Sequence, residues 1–318
     1  MKTKLIEAKF RSALGRVGQF FSMVALGAAI LICSGASAQN LFVSGNARLK
    51  NCPPPCGVIY KFTWDGGQSI FTVGLNTPGD LAFDSAGNLF VADDDRSGLL
   101  DHAVIYKITP NGLRTTFASG LSYPSYLAVD RAGNVFVADY NQGIIYEYKP
   151  TGSQSTFASG LYHPVGMAFD SAGNLFVADN SIGNIYQGSI YKYKPDGSRV
   201  TFAVLDPSDR PADLAFDSMG NLYMADSGGN IYKYGISGPL RRYVRTTFGS
   251  VPNSAQSLAF DNAANLFVVA GDVSTNGPGT PNAIYKFTQQ GVRSAFASGP
   301  SLDESFGCLA FQPMACCQ

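Results

Sequence analysis

Glutamate is nearly missing from this chain: of 23 acidic residues, all but Glu7, Glu147 and Glu304 are aspartate. Aspartate bonds its own backbone in turns where glutamate suits helix interiors, so the imbalance leans toward an all-β fold and away from coiled coil. Charge is scarce as well, at 14% of residues against 45% hydrophobic, which excludes a disordered chain. There are only two histidines, His102 and His163, and neither stands at a metal or catalytic-triad spacing. The sequence has no GxSxG, HExxH, P-loop or dinucleotide fingerprint, so it carries no familiar nucleophile or phosphate motif.

What is abundant is turn-forming and aromatic: 35 Gly, 17 Pro and 12% aromatic residues in 318. The first segment is different. Lys2, Lys4, Lys9, Arg11 and Arg16 precede an apolar run from Phe20 to Cys33 and then Ala36-Ser37-Ala38, the pattern of a cleavable secretory signal over residues 1–38. The run is shorter than the roughly 20 residues a spanning helix needs. Ile30, Leu31 and Ile32 stand before Cys33 where a lipoprotein signal has small residues. The expectation is an exported protein, periplasmic, secreted or at the cell surface, beginning at Gln39 and not stably inserted in a membrane. Residues 39–318 carry 18 Lys plus Arg against 22 Asp plus Glu, which offers no basic surface to nucleic acid.

Cys52, Cys56, Cys308, Cys316 and Cys317 remain beyond the signal, and an oxidising compartment would let some of them pair. Cys52 and Cys56 are a candidate disulfide. Three prolines between them in polyproline form would hold the Cα atoms roughly 12 Å apart, too far to bridge, whereas a cis proline or a sharp turn would bring them within range.

A period of 40 to 50 residues organises everything after the signal. LAFD, LAVD, MAFD, LAFD and LAFD end at Asp84, Asp130, Asp170, Asp217 and Asp261, and each is followed by a turn such as SAGN and a second strand such as LFVAD. A third strand is centred on Tyr106, Tyr146, Tyr191, Tyr232 and Tyr285, and a fourth of TFASG type closes the unit. Four short antiparallel strands make one propeller blade. Fourth strands at Phe71, Phe117, Phe157, Phe202, Phe248 and Phe296 predict an all-β six-bladed propeller over 39–318 as a single domain. The N-terminal blade, 40–74, has a second strand and no first, and Leu309-Ala310-Phe311 is a first strand with no second. A C-terminal strand over 308–312 is therefore expected to complete the N-terminal blade and remove the free edges. Phe90, Phe136, Phe176, Tyr223, Tyr106 and Tyr191 are expected to pack between blades.

In such a ring, the loops leading into inner strands share a face with the loops joining second and third strands. The first set reads Pro78-Gly79-Asp80, Pro124-Ser125-Tyr126, Pro164-Val165-Gly166, Pro211-Ala212-Asp213, Ala255-Gln256-Ser257 and Ser305-Phe306-Gly307. Variable length is concentrated on the second set, and variable loops on a rigid scaffold are where binding usually lives. Candidate ligand-binding residues are therefore Asp80, Tyr126, Asp213, Asp95, His102, Tyr140, His163 and Asn180. The aspartates that recur in every blade, such as Asp93, Asp139, Asp179 and Asp226, read as turn or interblade hydrogen-bond acceptors. Asp80 and Asp213 depart from the repeat. They lie on blades three steps apart, facing each other across the channel, with no repeat-wide hydrogen bond expected to depend on them; converging carboxylates suit a hard cation, so they are candidate metal ligands.

The unit P-x-x-LAFD-x-x-GNLFVAD, IYK, TFASGL resembles NHL-repeat proteins and the related gluconolactonase-like (regucalcin-like) six-bladed propellers. The resemblance spans nearly the whole chain beyond the signal. It implies a divalent cation in the channel, usually calcium, held by a Glu near the start, two Asn and an Asp, one Asn belonging to Pro-Asn-Asp. Here those positions read Pro78-Gly79-Asp80 and Pro211-Ala212-Asp213, without the Asn. Streptogramin lyases, which share the propeller, use a His with magnesium, and neither His102 nor His163 is matched to it. Repeats of this kind serve enzymes, binders and interaction modules alike. The leading expectation is an exported propeller that binds a small molecule, protein or glycan through its variable-loop face, with no catalysis assigned. The alternatives are a divalent-metal-dependent hydrolase or lyase of lactone type acting through Asp80 and Asp213, and a structural scaffold of the cell envelope.

Overall fold

A computed structural model of the chain describes residues 39–46, 56–94, 102–180, 187–238, 242–271, 283–298 and 306–313. The signal segment, Cys52 and Asp95 lie outside these residues. Six four-stranded antiparallel sheets form the six blades. In blade 1, the strand β24 (Phe306–Phe311) pairs with β1 (Leu41–Asn46), which pairs with β2 (Gly57–Phe62) and then β3 (Gln68–Leu75). The register is Leu41 to Phe311, Phe42 to Ala310 and Val43 to Leu309, so the chain's last described strand closes its first blade as expected. It starts two residues earlier than the sequence suggested and ends at Phe311.

The inner strands of blades 2 to 6 are β4 (Thr77–Phe83), β8 (Pro124–Val129), β12 (Pro164–Phe169), β16 (Pro211–Phe216) and β20 (Ser254–Phe260). Those of blades 2 to 5 carry, at or next to their first residue, the Pro-x-x segments read above as loops, and β20 begins at Ser254. Proline is tolerated at a strand's first residue, and in each inner strand, β24 included, the ladder shifts register within the next few residues. Such a bulge bends the strand and re-aims a side chain. The re-aimed position is the one before the repeated apolar triplet, which is where the site is built.

The core lies between blades. Six clusters of buried side chains each combine residues of two neighbouring blades. The second-strand aromatics do what their period suggested: Phe136 meets Phe157 of its own blade at 5.0 Å and Phe169 of the next at 5.0 Å, with nearly perpendicular rings. Phe267 and Phe311 repeat the contact at the closure, at 4.9 Å. Tyr106 and Tyr191 pack at the edges of two such clusters and are covered by Arg114 and Arg199.

Candidate functional site at the channel waist

The repeat itself separates scaffold from site. Each aspartate before the hairpin turn bonds its own turn: Asp84 Oδ1 accepts from the backbone of Ala86 at 3.0 Å and Asn88 at 2.8 Å, and the pattern recurs at Asp130, Asp170 and Asp217. The aspartate ending each second strand holds the connector between blades. Asp93 accepts from Asn76 and Thr77 N–H, Asp139 from Ser122, Asp179 from Tyr162 and His163, and Asp226 from Arg210. These carboxylates stabilise backbone donors and leave little for a substrate.

The six bulged positions form a ring at the channel waist: Cys308, Asp80, Tyr126, Gly166, Asp213 and Ser257 in blade order. Cys308, and not Gly307, fills the sixth place. The sequence reading was one residue out there, because no proline marks the start of β24. The signal was present in Leu309-Ala310-Phe311, whose preceding residue is Cys308.

The junctions between blades are fastened at this ring by several devices. Asp80 Oδ2 accepts the Leu127 N–H of the next blade at 2.7 Å, and Ser125 Oγ donates toward the Pro164 carbonyl at 3.2 Å. Gly166 leaves room for the neighbouring backbone, since a Cβ there would stand 2.7 Å from Asp213 Cα. Asp213 Oδ2 accepts from Leu258 N–H at 2.8 Å and from Ser257 Oγ at 3.0 Å, and Ser257 Oγ accepts the Leu309 N–H at 3.2 Å. The Cys308 side chain leans on the Asp80 carboxylate, while Ser44 Oγ accepts the Cys308 N–H at 2.8 Å. Asp80 and Asp213 thus take part in interblade hydrogen bonds, though in none that recurs in every blade. Each carboxylate stitches its blade to the next through a backbone donor.

Both carboxylates are 7% exposed, and burial pushes each pKa upward. For Asp213, the charge of Asp80 raises it further. The backbone donors oppose the shift without cancelling it. Like charges in one buried site are relieved by retaining a proton. Tyr126, half-buried beside them, is held in its protonated form by burial and by these negative neighbours, and the Cys308 thiol is pushed up for the same reasons. The waist thus offers a carboxyl pair, a phenol donor and a thiol.

The oxygens of this pair already face N–H and O–H donors, which turn positive ends toward the place a cation would take. Among the described residues no group of three or more His, Cys, Asp and Glu is placed to hold a metal ion. This donor set does not match a calcium cage.

Of the other candidates, Tyr140 and His163 come together as parallel rings 4.2 Å apart. Asn180 joins them through its N–H to the His163 carbonyl at 3.1 Å. His102 is exposed on blade 2, just before β6 (Ala103–Ile108). Tyr123 and Tyr162, which the sequence reading passed over, flank the Tyr140–His163 pair at 5.8 and 4.3 Å. Cys56 is disulfide-bonded; Cys308 is free, and the partner lies outside the described residues.

The fold and waist define a six-bladed propeller with a polar, acid-lined channel. The profile of the strictosidine synthase-like N-terminal family matches residues 198–234, a small part of the chain, and no curated protein matches it. Among solved structures, a chain of a nidogen/laminin complex is 18% identical over 86% of this chain and 98% of its own, with a TM-score of 0.67. A gluconolactonase from Xanthomonas campestris is 20% identical over 68% and 80%, at 0.53. Virginiamycin B lyase from Staphylococcus aureus is 16% identical over 69% of each chain, at 0.50. At these identities the likeness is one of fold, which is shared by enzymes and by a member of a protein complex.

Proposed function

We propose that this protein is a small-molecule hydrolase or lyase of the lactone-acting kind, related to the gluconolactonase-like and NHL-type propellers, working at the channel waist. The observation that carries the reading is the buried Asp80–Asp213 pair, whose raised pKa values let it share a proton near neutrality. One carboxylate then takes a proton from the attacking water, and the other carboxyl donates one to the ring oxygen that leaves the acyl carbon. Tyr126, a phenol that stays protonated, donates a hydrogen bond to the carbonyl oxygen as it gains charge. Pairs of titratable groups in one site with separated proton affinities divide acid and base roles in this way. The fold likeness to a gluconolactonase and a lyase agrees with the reading.

The test is hydrolysis of a panel of five- and six-membered lactones by the purified chain and by Asp80→Asn and Asp213→Asn. Each substitution is expected to lower kcat/KM by about 10² to 10⁴ with the fold retained, because the amide oxygen can still accept the backbone N–H. No turnover of any lactone, or turnover untouched in both variants, would remove the enzyme reading.

The aromatic cluster on the variable-loop face and the fold likeness to a chain of the nidogen/laminin complex favour a second reading, a binding module. We also place the protein outside the cytosol, on the strength of the N-terminal segment. N-terminal sequencing of exported material should then begin at Gln39. No helix among the described residues is long and apolar enough to cross a membrane.

A further inference from the structure

What recurs in every blade is scaffold, so the places where blades 3 and 4 break the pattern at the rim stand out. The two residues before the inner-strand proline are Asn76-Thr77 in blade 2 and Asp209-Arg210 in blade 5, but Ser122-Tyr123 in blade 3 and Tyr162-His163 in blade 4. The residue after the second-strand aspartate is Asp94 or Ser227 in blades 2 and 5, but Tyr140 and Asn180 in blades 3 and 4. Four aromatic rings therefore gather at one junction of the rim, in the order Tyr123, Tyr140, His163, Tyr162, with centroids 5.8, 4.2 and 4.3 Å apart.

The two outer rings are not interblade core, whereas Tyr140 also packs against the cluster between blades 4 and 5. Phe136, at a repeated packing position, is 4% exposed, whereas Tyr123 is 36% and Tyr162 is 51% exposed. Their loops are fastened from below: Tyr140 N–H bonds the Tyr123 carbonyl at 3.0 Å and Asn180 N–H the His163 carbonyl at 3.1 Å. Asp139 and Asp179 take the N–H groups of Ser122, Tyr162 and His163. The platform is thus held by the scaffold, and ordering it on binding would cost little. The row reaches solvent at its two end rings, Tyr123 and Tyr162; exposed Asn141 follows Tyr140 in the chain, and half-buried Asn180 bonds the His163 backbone.

From this arrangement we infer that the rim of blades 3 and 4 is a binding platform for a neutral oligosaccharide chain. A pyranose has apolar C–H faces and a hydroxyl edge, which match exposed tyrosine rings; Tyr140 and His163 stack on one another, so the rings left for the sugar are Tyr123 and Tyr162. Two exposed rings held apart by a stacked pair suit several linked sugars better than one small molecule. Phenol and indole side chains with one apolar face and one wet edge are the usual means of binding such amphipathic surfaces. The platform is a site apart from the carboxyl pair of the waist and does not require that pair to be catalytic.

Isothermal titration with cellohexaose, maltohexaose and chitohexaose tests it. At least one is expected to bind, and Tyr123→Ala and Tyr162→Ala are each expected to weaken binding about tenfold, the loss of a stacked ring. Both side chains are exposed, so unchanged melting temperatures should accompany the loss. Asp80→Asn and Asp213→Asn should leave sugar binding intact, which keeps this outcome separate from that of the lactone panel. Absence of binding to all three sugars overturns the inference, as does binding that survives the double tyrosine variant. Saturation by a tyrosine- and tryptophan-rich peptide with no response to any sugar would make the rim a protein-docking surface and overturn it equally.

Discussion

A single methyl group distinguishes the hairpin of blade 6 from its counterparts. In blades 2 to 5 the turn after the inner strand places glycine at a left-handed position, as at Gly87 with φ of 80°, and the N–H of that glycine bonds the Asp84 carbonyl at 3.0 Å. Blade 6 reads NAAN, and Ala264 takes the same place with φ of 58° and the same bond to Asp261. An L-residue there costs about 1–2 kcal/mol, partly offset by the roughly 0.4–1 kcal/mol that glycine loses through the freedom of the unfolded chain. Ala264→Gly is accordingly expected to stabilise the protein by about 0.5–1 kcal/mol, read as a rise in the denaturant midpoint at unchanged slope. A lower midpoint would mean that the turn's strain is relieved elsewhere. At this scale the sequence was legible wherever a residue repeats, because repetition marks the turn and connector aspartates as structural. It was least legible where a residue occurs once. The place of Cys308 in the ring was missed because β24 lacks the proline that marks the inner strands of blades 2 to 5, and Tyr123 and Tyr162 because a lone tyrosine one or two residues before a proline does not announce a cluster.

Strand order could be read directly from the sequence, and strand geometry could not. The missing first strand of blade 1 and the extra Leu309-Ala310-Phe311 pointed to one another, and β24 pairs with β1. The bulges of the inner strands left no such trace. Pro-x-x looked like a loop, and only cross-strand register shows that it is a strand with a bulge that turns Asp80 and Asp213 toward their neighbours. The closing strand is fastened by more than its ladder. Asn40 Nδ2 bonds Gln312 Oε1 at 3.3 Å, Ser44 Oγ takes the Cys308 N–H, and Phe311 packs on Phe267 of blade 6. Ending the chain after Ser305 removes this strand, opens one edge of β1 and uncovers the Phe267 cluster. The expected result is loss of the cooperative melt and rapid digestion by protease. A truncated chain that melts like the parent would show that five complete blades and a three-stranded remnant suffice.

Across the whole ring, six junctions are fastened at the waist and two of those fastenings are carboxylates, which ties the stability of the entire propeller to pH. Asp80 and Asp213 have folded pKa values raised above the usual 3.8, chiefly by burial, and for Asp213 also by the charge of Asp80. Between 3.8 and those raised values, the native state binds more protons than the unfolded chain, so stability falls as pH rises through the window. The turn aspartate Asp170 acts in the opposite sense. Burial is the largest single influence on it and raises its pKa, but the bonds from Asn174 and the charge of Lys192 together outweigh burial and hold the carboxyl below its usual value, so its contribution is present above 3.8 and is lost as pH falls through its folded value. The two senses together place the stability maximum on the acid side of neutrality. Differential scanning calorimetry should show the melting temperature climbing as pH is lowered from about 8 to about 5 and dropping again in stronger acid. Asp213→Asn removes one member of the pair and relieves the other, so its melting temperature should be nearly flat over the upper part of that range. If the parent protein instead gains stability toward alkaline pH, the carboxylates are ionised at no cost and lie in a hydrated channel. The pair then has no shared proton to give, and the acid–base role proposed for the waist falls together with its part in the pH dependence.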